Sequence, residues 1–149
     1  MITDSIQKQI AEAMKAKDEI RLSTLKMLSS SLHYGQIEKQ HDLSEEEEIV
    51  VVQKEAKKRK DAIEAYEKAG ATERAEKEKK ELAVLMEFLP EQLSDTELEE
   101  IVKNAIETTG ASSISDMGKV IGKVMGEAKG KADGKKVSEL VKAQLVSND

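Results

Sequence analysis

Glycine recurs at every fourth position from Gly118 through Gly122, Gly126 and Gly130 to Gly134, with lysine between at Lys119, Lys123, Lys129, Lys131, Lys135 and Lys136. Residues without side chains let a phosphate approach backbone N–H groups, and ammonium groups beside them supply charge. Lys119 and Lys123 stand one helical turn apart, as do Lys131 and Lys135. The only carboxylates between Lys119 and Lys136 are Glu127 and Asp133, so this stretch is positive inside a chain of formal charge −6. Each interior glycine costs a helix about 1 kcal/mol relative to alanine, so a regular series of them requires a compensating benefit. Spacing alone leaves two accounts open. In one, glycines let helices pack closely or turn and the lysines are the wetted face. In the other, they bare a surface for an anion. Pairing of membrane helices, the usual meaning of such a repeat in an apolar segment, is excluded by the lysines. A second basic cluster, Lys54, Lys57, Lys58, Arg59 and Lys60, reads as a solvated helix face, with an auxiliary phosphate contact as the alternative.

Other chemistry is sparse. His33 and His41 are the only histidines, the residue type suited to general acid–base work near neutral pH, and both fall in a polar stretch near the end of a helix. The chain has no cysteine, no His-x-x-x-His pair and no serine set in a nucleophile elbow. Glu45 to Glu48 are consecutive on a helix, so they point in different directions and cannot converge on one metal. They read instead as a solvated helix start matched to the dipole. Gly130-Lys131-Ala132-Asp133-Gly134-Lys135-Lys136 imitates a nucleotide-binding loop, but three residues separate its glycines and Lys136 stands where a hydroxyl is needed. Neither metal nor cofactor is expected. Tyr34, Tyr66 and Phe88 are the only aromatic residues, too few for base-stacking platforms.

The elements that carry these residues are helical. Apolar side chains recur with a period near 3.6, and no window alternates with period two. Ile2, Ile6, Ile10, Ala13 and Met14 mark a first helix. Asp18 can cap a second, with Leu22, Leu25, Leu28 and Leu32. Ser44 and Glu47 form a capping box that opens the longest helix, stopped by Gly70. A fourth runs from about Thr72 to Phe88, ended by Pro90. Ser94 with Glu97 opens a second set. Leu98, Ile101, Val102, Ala105 and Ile106 lead to Gly110, then come Met117, Val120, Ile121, Val124 and Met125. Asp133 caps a last helix carrying Val137, Leu140, Val141 and Leu145. An all-α protein follows, with a four-helix domain over residues 1–90 and a three-helix tail over 91–149. The opening Met1-Ile2-Thr3-Asp4-Ser5 lacks a signal-peptide pattern and no run of about 18 apolar residues exists, so a cytoplasmic protein is expected.

The segment Asp116-Met117-Gly118-Lys119-Val120-Ile121-Gly122-Lys123-Val124-Met125, followed by Lys129-Gly130-Lys131-Ala132-Asp133-Gly134, resembles the tail signature of the GatB/YqeY family. Lys57-Lys58-Arg59-Lys60-Asp61-Ala62-Ile63-Glu64-Ala65-Tyr66 and Phe88-Leu89-Pro90-Glu91-Gln92-Leu93-Ser94 are similar to the stand-alone YqeY proteins. The chain departs from the pattern at Gly126, where proline or lysine is usual, and at Ser138, where asparagine is common. The resemblance implies a helical N-terminal domain and a small tail like that of the B subunit of glutamine-dependent aspartyl/glutamyl-tRNA amidotransferase. It further implies that the tail contacts tRNA, as a helper to an amidotransferase or an aminoacyl-tRNA synthetase. A protein adaptor without RNA contact is the alternative. A glutamine-dependent carbon–nitrogen ligase in its own right has neither a nucleophile–base pair nor a nucleotide loop to support it.

Overall fold

The computed structural model describes residues 1–147, and among these the chain forms seven α-helices and no strand. They are α1 (Ile2–Lys15), α2 (Glu19–Lys39), α3 (Glu45–Lys68), α4 (Thr72–Met86), α5 (Asp95–Thr109), α6 (Met117–Ala128) and α7 (Gly134–Ser147), with a 3-10 turn at Ile114–Asp116. Among the described residues no helix is long and apolar enough to cross a membrane. Contacts divide the chain into two compact units, Met1–Leu89 and Pro90–Asp149.

The first unit is built on α1 to α4. Its core joins Ile6 of α1, Leu28 and Leu32 of α2, Leu43 of the α2–α3 connection, Val52 of α3 and Leu85 of α4. Ser44 Oγ accepts the Glu47 N–H at 3.2 Å while Glu47 Oε2 accepts the Ser44 N–H at 2.9 Å, so the capping box read from the sequence closes at the start of α3. Asp18 Oδ1 accepts the Arg21 N–H at 3.0 Å and caps α2. Met14, expected on the inward face of α1, is instead 55% exposed.

The acidic opening of α3 is not simply solvated. Glu45 and Glu46 face water. Glu48 is 1% exposed and accepts the N–H groups of Ile2 at 2.8 Å and Thr3 at 3.0 Å, together with the Thr3 hydroxyl. Those two N–H groups belong to the first turn of α1, where no preceding carbonyl can receive them. Met1 has no side-chain oxygen to cap the helix, so α3 caps α1 from 46 residues away.

The second unit contains α5, α6 and α7 around Leu98, Val102, Val120, Val124, Val137, Val141 and Leu145. Ser94 and Glu97 reproduce the capping box at the start of α5 with the same pair of distances, 3.2 and 2.9 Å. Gly110 ends α5 with φ 67°, the left-handed conformation that glycine adopts without strain. Removal of the Glu48 carboxylate leaves the Ile2 and Thr3 N–H groups without their acceptor. Glu48→Ala is therefore expected to cost about 1–3 kcal/mol, read by urea unfolding, with amide-exchange protection disappearing first in α1. Unchanged protection there would show that the cap carries no stability.

Candidate nucleic-acid interface

The five glycines read as one series occupy three different situations. On α6, Val120, Val124 and Ala128 are buried against α5 and α7. A helix turns about 100° per residue, so Gly118, Gly122 and Gly126 fall on the side opposite this core. All three are exposed, and a Cβ built at each would meet nothing within 4 Å. Close packing within the chain therefore does not explain them. They leave a strip about 12 Å long on which the backbone is the outermost surface. Lys119 and Lys123 run along one edge, and the half-buried Met117, Ile121 and Met125 along the other.

Gly130 is buried and serves a turn. It follows Lys129, and the two adopt positive φ values of 83° and 44°, reversing the chain at the end of α6. The turn is fastened to the start of the unit. Leu93 N–H donates to the Lys131 carbonyl at 2.9 Å, and the Gln92 side chain donates to the Gly130 carbonyl at 3.0 Å. Gly134 is the first residue of α7, with Met125 Cε 3.9 Å from its notional Cβ. Gly130 thus holds the interface in shape and offers a partner no surface.

Hydrogen bonding also restricts how an anion can be held. Interior N–H groups of α6, including those of Gly122 and Gly126, belong to the i→i−4 ladder and are committed. At the start of α7 the Asp133 carboxylate receives the Lys135 N–H at 3.3 Å and occupies the place an anion would take. The backbone ahead of α7 thus already has a carboxylate of its own. The glycines grant steric access, and attraction comes from the ammonium groups.

These groups are not equivalent. Lys123 pairs with Glu127 at 3.6 Å, and Lys136 pairs with Asp95 at the start of α5. Lys119, Lys129 and Lys131 are exposed and make no ion pair among the described residues. Lys135 and Lys136 lie exposed in the first turn of α7. Asp116, just ahead of α6, accepts the N–H groups of Ser112 at 3.1 Å and Ser113 at 3.4 Å. Those bonds, with lesser help from Lys119, hold its carboxyl below the usual range. Asp116, Asp95 and Gln92 also shape this surface; Asp116 and Gln92 fall inside the segments that carry the family resemblance, but nothing in the sequence pairs Asp95 with Lys136.

The second basic cluster is less of a patch than its sequence. Arg59 Nε lies 3.1 Å from Glu81 and its Nη1 3.6 Å from Glu78, with the guanidinium largely buried between α3 and α4. Lys58 pairs with Glu55 at 2.9 Å, and Lys60 is half-buried. Of the cluster, Lys54 and Lys57 remain exposed and without an ion pair among the described residues. His33 lines a shallow polar groove with Gln7, Ser29 and Gln36, and His41 lies 3.8 Å from Glu47. Among the described residues no cluster of three or more His, Cys, Asp or Glu is placed to hold a metal.

A bare-backbone helix edged by lysines, in a small three-helix unit that follows a unit of longer helices, defines an all-helical type of protein. The family model described as Yqey-like protein matches residues 3–145, and the chain belongs to that family. A relative in Schizosaccharomyces pombe, described as uncharacterized protein C22F3.15, is 34% identical over 90 residues, which is 60% of this chain and 73% of the relative.

Two outcomes follow. Gly118, Gly122 and Gly126 lie in a helix with open space around them, so their combined replacement by alanine is expected to raise tail stability by about 1 kcal/mol per site, read as an increase in Tm. A loss of stability would mean that the strip packs against something. Asp116 stabilises the fold above its unfolded pKa of about 3.9. That contribution disappears as pH falls through the lower folded value. Asp116→Asn should flatten this part of the acid unfolding curve of the tail, followed by NMR from about pH 5 to 2, and a curve superimposable on the parent's would remove the assignment.

Proposed function

We propose that the protein is a tRNA-binding accessory factor that holds RNA by backbone and shape, in support of an aminoacyl-tRNA synthetase or amidotransferase in the cytoplasm. The exposed glycine strip of α6, with Lys119 and Lys123 along its edge, is the observation that carries this. A helix studded with ordinary side chains keeps a sugar–phosphate backbone at arm's length. One stripped to glycine lets it lie against the helix surface, within reach of the ammonium groups.

Six lysines face two carboxylates between Lys119 and Lys136, which gives local attraction on a molecule of opposite net sign. Lys129 and Lys131 contribute most, because they are exposed and make no ion pair among the described residues, whereas Lys119 shares its charge with Asp116. Lys123 and Lys136 would first have to leave Glu127 and Asp95. Such contacts are electrostatic and carry no base readout.

Lys119→Glu combined with Lys131→Glu is expected to weaken binding of unfractionated tRNA roughly tenfold or more and to flatten the logarithmic salt dependence by about 0.7–0.9 for each phosphate that is no longer neutralised, measured by filter binding. The stabilised triple-alanine tail should bind more weakly than the parent despite its higher Tm, because three methyl groups now keep the strand off the helix. Parental affinity in both variants would dissociate the tail from RNA. A second reading, an adaptor that docks on another protein without touching RNA, is favoured by the exposed apolar residues Tyr34, Ile37 and Val50 of the first unit. Association with a synthetase or amidotransferase that survives nuclease, with no tRNA mobility shift, would select it.

A further inference from the structure

Between α4 and α5 the chain runs Pro90-Glu91-Gln92-Leu93-Ser94, most of the second stretch that resembles stand-alone YqeY proteins. None of these residues is basic, yet the segment is bonded along its length to the turn that carries Lys129 and Lys131. Gln92 Nε2 donates to the Gly130 carbonyl at 3.0 Å, and the Leu93 N–H donates to the Lys131 carbonyl at 2.9 Å. Asp95, just beyond, pairs with Lys136. Gln92 Nε2 also donates to the Pro90 carbonyl at 2.8 Å, so both hydrogens of its amide are used. The turn held in this way is strained. Lys129 has φ 44° and ψ 57°, and Gly130 has φ 83°. Glycine enters the left-handed region freely, whereas a side chain resists it. Such a residue persists where its surroundings over-determine it. Within the turn, the Lys129 and Lys131 N–H groups donate to the Met125 and Ala128 carbonyls at 3.2 and 2.9 Å. From outside, Gln92 holds the carbonyl of the buried Gly130, midway between the two lysines.

We propose that Pro90–Leu93 is a strap that aims Lys129 and Lys131 at an RNA strand, with Gln92 as the positioning residue. This rests on the RNA reading of the tail and adds the segment that joins the two units to the binding device. Both lysines are exposed and make no ion pair among the described residues. Their stems leave the backbone on either side of Gly130, so the dihedrals around that residue set the angle between them. A flexible four-carbon stem absorbs small shifts, but not a change in the direction from which it starts. With the strap open, the turn relaxes toward conformations that a lysine at position 129 prefers, and the two charges part. Gln92 acts through the lysines, because its amide has no hydrogen left to offer a phosphate. Strap closure and strand binding favour the same turn, so each must strengthen the other. RNA held by the lysines therefore tightens Pro90–Leu93 without touching it.

Gln92→Met keeps the length of the side chain and removes both donors. In the full chain it should speed amide exchange at Leu93, while Val102 and Val141 keep parental rates and so certify the core. Binding of unfractionated tRNA should weaken roughly threefold to tenfold, the scale of one hydrogen bond. Lys129→Ala with Lys131→Ala should weaken it as well, and adding Gln92→Met to that pair should change nothing further. In the parent, tRNA should slow exchange at Leu93, and much less so in the double-alanine chain. Should methionine disturb the core amides, Gln92→Asn, whose amide falls one methylene short, is measured in its place. The positioning role is overturned by parental affinity in the Gln92 variant, or by Leu93 exchange indifferent to tRNA. A full further loss when Gln92→Met is added to the double-alanine chain overturns it too, since Gln92 would then act without the lysines. Parental affinity in Lys119→Glu with Lys131→Glu defeats the RNA reading itself. Weakened lysine variants beside an unaffected Gln92 variant remove the strap alone.

Discussion

The whole tail depends on one constraint: α6 must remain a helix while its outward face lacks side chains. Glycine disfavours helix and offers no contact of its own, so the inward face alone has to hold the element. Val120, Val124 and Ala128 do this from fully buried positions, sharing a core with Leu98 and Val102 of α5 and Val137, Val141 and Leu145 of α7. The turn that follows is tied back by Gln92 and Leu93, which fixes where α6 stops. Packing on one side therefore permits bareness on the other. A protein selected for stability alone would place alanine on that open face, where the structure leaves room for it.

The two units manage with few or no bulky aromatic residues in different ways. In the tail, small aliphatic side chains close a compact three-helix core. In the first unit, longer helices are held by aliphatic packing together with buried carboxylates. Glu48 receives the first turn of α1, Glu55 bridges α2 to α3 through Ser31, and Glu81 meets Arg59 between α3 and α4. Each buried charge has a partner of fitting chemistry, as the cost of desolvation requires.

Helix number and both serine capping boxes were legible in the sequence, since 3.6 periodicity and local caps depend on neighbours three or four residues away. The roles of individual charges were not. Glu48 looks like its three acidic neighbours until the fold brings Ile2 and Thr3 against it. Arg59 looks like part of a lysine cluster until α4 delivers Glu78 and Glu81. The even glycine spacing suggests one cause, whereas Gly130 bends the chain and Gly118, Gly122 and Gly126 open a surface. Long-range pairing decides such cases, and no local pattern encodes it.

The capping of α1 by Glu48 also has a consequence for how the polypeptide matures. The start of the first helix cannot be completed by anything encoded near it. During synthesis Ile2 and Thr3 leave the ribosome before Glu48, and until then the first turn of α1 lacks this acceptor for its N–H groups. The cap on its first turn therefore forms only once the start of α3 is in place. The first turn of α1 thus acts as a latch that closes only when α3 is beside it.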